Sequence, residues 1–201
     1  MTNEHYFSPQ PSSPSQPYVI QVALPDGTLH LTTDRGVFSY GALDTGTRLL
    51  LLKAPLPSPT GNLLDLGCGV GPIAITLALR SPAATAWAID VNERAVALCR
   101  QNAETNGVGN VRACLPTELP DDIEFDTIWS NPPIHIGKTA LHELLLRWLS
   151  RLTPNGHSIM VVQKHLGSDS LQGWLSDHGY PTERLASAKG FRLLRSVRAT
   201  T

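Results

Sequence analysis

Cysteine is scarce in this chain, and its spacing suits neither of its structural uses. Cys68, Cys99 and Cys114 make an odd number with no C-x-x-C pair, which argues against a disulfide framework and against a metal site. Net charge is nearly absent as well. Sixteen Lys and Arg against 17 Asp and Glu leave −1, so the overall basic field of a dedicated nucleic-acid module is missing. No apolar run approaches the length of a membrane span. The first residues carry no apolar stretch behind a basic start, so no signal peptide is expected and a cytosolic location is. No internal repeat is visible. What is present is an ordinary globular composition, 41% hydrophobic over 201 residues, enough for one domain with a sizeable core.

The charge that exists is unevenly placed. Residues 90–126 hold eight acids against three bases, and residues 180–201 hold five bases against Glu183 alone. Lys189, Arg192, Arg195 and Arg198 could form a local phosphate-contacting patch, or the charged rim of an edge strand that discourages pairing with another chain.

Composition along the chain divides it further. Residues 1–17, with SPQPSSPSQP at 8–17, are too poor in apolar side chains to order themselves and read as a flexible arm. Tyr18 to Leu24 and Thr28 to Thr32 flank Pro25-Asp26-Gly27, a small β-hairpin signature. A dense leucine run from Thr45 to Lys53, stopped by Pro55 and Pro57, predicts a buried helix. From Asn62 onward short apolar runs alternate with helical ones. Strands are expected at about 62–66, 84–89, 109–114, 124–129 and 157–163, and helices at about 72–80, 92–106 and 138–152. Asp177 to Gly179 ends a further helix, and two strand-like pieces meet at Lys189-Gly190 as a terminal hairpin. Such alternation predicts a parallel sheet with helices on both faces.

Residues 63–72 read LLDLGCGVGP, an apolar strand delivering Asp65 and then Gly67, Gly69 and Gly71 into a loop before a helix. A loop without side chains lets a ligand approach the backbone, and the helix start offers unpaired N–H groups. Dinucleotide sites use G-x-G-x-x-G with a pyrophosphate on the helix N-terminus. Here the third glycine comes one residue early, Pro72 stands in the last glycine's slot, and Asp65 would repel an anion. A ligand carrying positive charge suits Asp65 better, and S-adenosylmethionine, with an amino group and a sulfonium, is one. Taken alone, the same loop is also a plain strand-to-helix turn.

Two further strand ends add chemistry. AIDVNERAV places Asp90 at the end of the second strand, 25 residues after Asp65, where two carboxylate oxygens match the vicinal hydroxyls of a ribose. Asp90 or Asn92 also suits the cap of the following helix. SNPPIHIGK, Ser130 to Lys138, follows the strand FDTIWS. Pro132 holds Asn131 extended, and Pro133 stiffens the loop further. An exocyclic amine on a base is a poor nucleophile because its lone pair is delocalised. If its N–H groups donate to the Asn131 side-chain oxygen and the Pro132 carbonyl, the nitrogen is drawn toward tetrahedral geometry and its lone pair can meet a methyl group. Catalysis of that kind is positional.

DLGCGVG, AIDVNERA and SNPPIHIGK, in this order, resemble class I S-adenosylmethionine-dependent methyltransferases of the small-methyltransferase-domain group, whose best-known members are small-subunit ribosomal RNA guanine-N2 methyltransferases. HYFS at 5–8, TTDRGVFSYGALDTGTRLLL at 32–51 and KGFRLLRS at 189–196 resemble that group too. The resemblance implies an α/β, Rossmann-like seven-stranded sheet with a terminal antiparallel hairpin. A single methyltransferase domain would then span 18–201, with hairpin and helix at 18–60 and the cofactor-binding core at 61–201. It also implies that Asp65, Gly67, Cys68, Gly69 and Gly71 surround the methionine part of the cofactor, that Asp90 holds the ribose and that Thr47, in D-T-G-T, approaches from the opposite wall. Asn131 and Pro132 would be catalytic, with Pro133, Ile134, His135 and Phe38 against the acceptor.

The chain departs from the group where Ile134 replaces a frequent aromatic, which leaves stacking to Phe38 or Tyr40, and where Glu118 is the nearest acid to the adenine position. His135 reads as a pocket wall rather than a base, since the methylated amine is acidic enough to lose its proton unaided. Lys138 reads as the first turn of a helix. The implied partner is ribosomal RNA or a ribosomal particle, with no membrane. Asn-Pro-Pro also serves amine methylation on adenine N6 and on glutamine side chains, so a glutamine-N5 protein or small-molecule methyltransferase is an alternative. So is a non-catalytic RNA-binding module that keeps the fold. The sequence leaves the oligomeric state open.

Overall fold

A computed structural model describes residues 13–199. At its N-terminal end, β1 (Tyr18–Leu24) and β2 (Gly27–Thr33) pair antiparallel across Pro25-Asp26. Alternation along β2 buries Leu29, Leu31 and Thr33. With Val22, the two leucines pack on Ile75 of α2 (Pro72–Arg80) and Ala103 of α3 (Glu93–Thr105).

A hairpin edge carries unpaired backbone groups, and here α3 satisfies them. Asn102 accepts from the Thr32 N–H at 2.8 Å and donates to the Thr32 carbonyl at 2.9 Å. One turn later Asn106 does the same for His30, at 2.9 and 2.8 Å. Two asparagine amides thus stand in for a neighbouring strand. At the hairpin turn, Arg80 closes an ion pair with Asp26 at 2.6 Å and donates to the Leu51 carbonyl at 3.0 Å.

The main sheet contains β3 (Thr60–Leu66), β4 (Ala83–Ile89), β5 (Val111–Cys114), β6 (Phe125–Ser130), β7 (Leu152–Gln163), β8 (Thr182–Ala188) and β9 (Phe191–Val197), in the order β5-β4-β3-β6-β7-β9-β8. The first five run parallel, and β9 is antiparallel to both its neighbours. The terminal hairpin turns at Lys189-Gly190, both with positive φ, the geometry that matches strand twist.

Successive residues of a strand face opposite sides, and both sides are covered. Leu63, Trp129, Ile159, Val161 and Leu193 pack under α1 (Thr45–Lys53) and α2. Leu64, Ile128, Met160, Val162 and Leu194 pack under α4 (Lys138–Leu149) and α5 (Ser168–Asp177). The expected seven-stranded Rossmann-like architecture with its two hairpins is the architecture observed. Burial on both faces accounts for the consecutive apolar pairs Leu63-Leu64 in β3 and Ile128-Trp129 in β6, where a half-exposed strand would alternate.

Local differences have physical causes. Helix α4 ends at Leu149, three residues earlier than expected, and β7 begins at Leu152. Leu152 pairs with Phe125 and His157 with Thr127, so the intervening segment with Pro154 bulges out of register. The expected strand from 157 is the regular half of β7. The arm also differs, since its last residues are tied down. Ser15 and the backbone N–H of Gln16 donate to Asp34 at 2.7 and 2.5 Å, and Arg94 donates to the Ser13 carbonyl at 3.1 Å. Residues 1–12, including HYFS, lie outside the described residues.

The phosphate patch proposed for the C-terminal bases does not assemble. Arg192 is buried on one face of β9 and paired with Asp169, Arg195 pairs with Glu183 at 3.0 Å on the other, and Arg198 donates to the Leu152 carbonyl at 3.3 Å. Nor do these arginines rim an edge strand, since Arg192 and Arg195 lie on β9, which is paired on both sides, and the sheet edge next to it is β8. All three cysteines are free and buried, and no metal-binding cluster occurs among the described residues. No described helix is long and apolar enough to cross a membrane.

Asn102 is fully buried and also donates to the Val70 carbonyl at 2.8 Å. Asn102→Ala orphans three backbone groups and is expected to cost on the order of 3 kcal/mol. Asn106→Ala, at a half-buried position, is expected to cost about 1 kcal/mol. Urea unfolding of the two variants measures the difference.

Candidate active site

Strand order reverses between β4 and β6 on either side of β3, and ligands of open α/β sheets bind at the carboxyl ends of strands at such a switch point. The residue pairs of β3 and β6 end at Leu66 opposite Ser130, and the Ser130 hydroxyl donates to the Leu66 carbonyl at 2.7 Å. The glycine loop and Asn131 therefore leave the sheet side by side. Gly67, Cys68, Gly69, Thr47, Phe38 and Asn131 line one cavity, which Ile20, Leu31 and Thr33 of the first hairpin close from the far side.

The loop glycines serve different ends. All three have positive φ, at 79°, 50° and 92°. A Cβ on Gly67 or Gly69 would meet open space, whereas one on Gly71 would lie 2.7 Å from the Cys99 sulfur. The first two keep the backbone open to a ligand, and the third lets α2 pack tightly against α3. The backbone N–H groups of Gly67 and Cys68 both reach the Ile89 carbonyl at 2.9 Å, and Cys68 is itself buried.

Asp65 is wholly buried and does not line the cavity. Its Oδ2 accepts from Ala74 N–H at 2.9 Å, capping α2 in place of Gly71, which has no side chain to offer. Its Oδ1 has no partner among the described residues. Burial pushes its pKa well above the ordinary carboxylate value, against the Ala74 hydrogen bond and with help from the nearby Asp90 charge. A buried carboxyl with an unmet oxygen beneath a loop open to ligand fits a group that brings positive charge.

Asp90, at the end of β4, accepts from Gly69 N–H through Oδ2 and from Asn92 N–H through Oδ1, each at 2.9 Å. Burial raises its pKa too, offset by these backbone donors. Each carboxylate oxygen keeps a lone pair for a ribose hydroxyl. Asn92 is the α3 cap, accepting from Arg94 and Ala95, while its Nδ2 donates to the Gly36 carbonyl at 2.8 Å. Glu118 folds back onto the Leu115 N–H at 2.8 Å, so it caps its own turn.

Asn131 projects from the end of β6, and its Nδ2 donates to Asp44 Oδ2 at 2.9 Å and to Thr47 Oγ1 at 3.0 Å. The Asp44 carboxylate also accepts from Thr47 N–H at 2.9 Å as the cap of α1. Thr47, expected to face the cofactor, lines the cavity and holds Asn131 as well. The Pro132 carbonyl accepts from Ile134 N–H at 2.9 Å across Pro133 (φ −74°, ψ 76°), an inverse γ-turn that leaves one lone pair. Ile134 packs against the core, while His135 is exposed in the short 3-10 turn Ile134–Ile136.

Phe38 is 42% exposed on the cavity wall, and Tyr40 is 39% exposed beside it but outside the lining. Ser39 between them has φ 65°. Asp44 is the site residue that sequence reasoning missed. An acid three residues before Thr47 at the head of a leucine run signals a helix cap, which names its first partner and conceals the second.

The fold and this cavity define an S-adenosylmethionine-dependent methyltransferase of the α/β class. The methyltransferase small domain family model matches residues 28–195, and the chain belongs to that family. It is 34% identical over 198 residues to YbxB of Bacillus subtilis (strain 168), a protein described as uncharacterized, covering 96% of this chain and 98% of that one. It is 36% identical over 186 residues to ribosomal RNA small subunit methyltransferase C of Pseudomonas aeruginosa (strain LESB58), covering 88% of this chain but 53% of the relative. The chain thus spans about half the length of that relative.

Among solved structures, the T. thermophilus 16S rRNA N2 G1207 methyltransferase in complex with AdoMet and guanosine superposes with a TM-score of 0.78 at 23% identity, covering 92% of this chain and 51% of that one. A ribosomal protein L11 methylase from Lactobacillus delbrueckii subsp. bulgaricus superposes at 0.57 with 22% identity, covering 69% and 70%. The cofactor is S-adenosylmethionine.

A carboxyl whose pKa is raised on folding loses stability as pH climbs from its unfolded value, near 3.9, toward its folded one, because the unfolded chain ionises first. Asp65→Asn keeps an acceptor for Ala74 N–H without that penalty. It is expected to raise Tm by about 2–5 °C at pH 7–8, with the gain shrinking toward pH 4. Cofactor affinity should fall about tenfold or more through the lost charge. Thermal melts across pH and calorimetry with S-adenosylmethionine check both.

Proposed function

We propose that this chain methylates an exocyclic amine, guanine N2 of ribosomal RNA. The carrying observation is that Asn131, in its Asn-Pro-Pro turn, stands in the same cavity wall as Gly67 and Gly69, fixed there by the Leu66–Ser130 pairing. When bound, S-adenosylmethionine supplies an electrophilic methyl on sulfur. Asp65 and the loop from Gly67 to Gly71 set the electrostatics and shape around its methionine part, and Asp90 takes the ribose.

On the acceptor side, the Asn131 side-chain oxygen and the remaining lone pair of the Pro132 carbonyl accept the two N–H groups of the amine. This aims its lone pair at the methyl and holds the nitrogen where positive charge develops. Proton loss from the methylated amine goes to water. Pro133 and Ile134 give apolar contact, His135 reaches the acceptor from the exposed turn, and Phe38 offers a ring to a base drawn out of its stack. A ribosomal RNA substrate is favoured by the likeness to ribosomal RNA small subunit methyltransferase C, and guanine N2 by the likeness to the 16S rRNA N2 G1207 methyltransferase.

The test is incubation with methyl-labelled cofactor and separate panels of ribosomal RNA, ribosomal particles and protein, followed by digestion to nucleosides or amino acids. The expected product is N2-methylguanosine. Label in glutamine would select a protein substrate, label in another nucleoside would reject guanine, and binding of RNA without transfer would select a non-catalytic role. Asn131→Ala is expected to leave cofactor affinity within about twofold and to reduce transfer at least a hundredfold, on the order of one lost positioning group. Full transfer by Asn131→Ala would remove the amine mechanism.

A further inference from the structure

The Asn131 amide faces a degeneracy that the reaction cannot tolerate. Its two ends are nearly the same size, and a half-turn about the last side-chain bond exchanges carbonyl for NH2. Only the carbonyl can receive an amine's N–H groups; an NH2 in its place meets them donor to donor. Something must fix which end faces the acceptor.

We infer that Asp44 and Thr47 are positioning residues that lock the Asn131 amide with its oxygen toward the acceptor amine. The inference rests on the proposed amine chemistry. A carboxylate has no proton to give, so Asp44 Oδ2, 2.9 Å from the amide nitrogen, accepts from an NH2 and repels a carbonyl. Thr47 Oγ1, 3.0 Å away, takes the second N–H. With both N–H groups engaged, the oxygen lies on the opposite side of the amide, and no described residue donates to it. Donation toward an anion also draws electron density onto that oxygen and strengthens it as an acceptor.

The lock is itself anchored. Asp44 is held by Thr47 N–H as the cap of α1, and its carbonyl accepts from Arg48 N–H at 2.9 Å. Gly46 between them has no room for a side chain, since a Cβ would lie 3.0 Å from Asp44 Oδ2 and 2.8 Å from the Phe191 ring. The D-T-G-T segment thus joins a helix start to a residue 87 positions away.

Asp44→Asn separates the lock from the cap. Asparagine caps helices as well as aspartate does, yet it presents a donor as readily as an acceptor, so Asn131 can seat either way round. With the RNA acceptor, the variant is expected to keep its Tm and its S-adenosylmethionine affinity while kcat falls about ten- to a hundredfold with a smaller change in KM. Thr47→Val should lose transfer, and Thr47→Ser should recover at least about tenfold of that loss. In 15N-labelled protein, the Asn131 side-chain NH2 protons should exchange slowly and should lose that protection in Asp44→Asn.

Wild-type turnover by Asp44→Asn while Asn131→Ala is inactive would overturn the positioning inference alone. Turnover by Asn131→Ala would overturn the amine reading beneath it. Side-chain protons on Asn131 that exchange like those of an exposed amide in the unmutated protein would overturn the lock whatever the acceptor proves to be.

Discussion

The parallel pairing of β3 with β6, closed at its carboxyl end by the Ser130 hydroxyl on the Leu66 carbonyl, is the constraint on which the site depends. One more residue on each strand is Gly67 and Asn131. A slip of one residue would invert the faces of the moving strand, burying Ser130 where Trp129 packs and turning Asn131 away from the glycine loop. Such a slip is prevented by burial on both faces, since Leu63 and Leu64 belong to opposite core clusters. Register, and therefore the distance between a loop open to the cofactor and an amide able to receive an amine, is set by apolar packing well away from either.

Electrostatics then decide what the open loop will accept. Two carboxyls, Asp65 and Asp90, lie close enough for the Asp90 charge to help raise the Asp65 pKa, in a site with no basic side chain among the residues lining the cavity. An acid in the place of Asp90 is shared with dinucleotide sites, but Asp65 does not belong to the arrangement a pyrophosphate selects. Asp65 carries the heavier burden, because it is wholly buried and half satisfied. Such a residue is unfavourable for the empty protein, and under the proposed function it is an instance of stability given up at a position that receives positive charge. Asp90 is better supplied with backbone donors, and those donors belong to the glycine loop and the α3 cap. Asp90, the acid proposed for the ribose, therefore also shapes the glycine loop.

Much of this was legible in the sequence because it is local. The glycine loop, the acid at the end of β4 and the rigid Asn-Pro-Pro turn each lie within about ten residues, and helix limits such as Thr45–Lys53 and Pro72–Arg80 follow from leucine spacing and proline stops. Partnerships between distant segments left no such trace. The Asn102 side chain bonds Thr32 across 70 residues, and Asp44 reaches Asn131 across 87. In sequence each is one more polar residue on a helix or at its cap. The C-terminal arginines show the converse. A one-dimensional cluster suggested a shared surface, but the period of two in β9 sends Arg192 and Arg195 to opposite faces and gives each an acid.

The two walls of the cavity are built differently, and this bears on where acceptor choice resides. The glycine-loop wall comes from strand ends and a loop bound to Ile89, so its geometry belongs to the sheet. Opposite it, Phe38, Ser39 and Thr47 come from a segment outside the sheet. That segment is fastened by Asn92 to Gly36, by Asn102 to Thr32 and by a cluster in which Val37 meets Val70, Ala95 and Leu98. Every one of those fastenings lands on α3 or on the glycine loop. The helix that starts beside Asp90 therefore holds both that carboxylate and the cavity wall that carries Phe38. Under the proposed function, substitutions between Thr33 and Thr47 reshape the acceptor side of the cavity while the sheet keeps the glycine loop in place, provided that Asp44 and Thr47 retain their hold on Asn131.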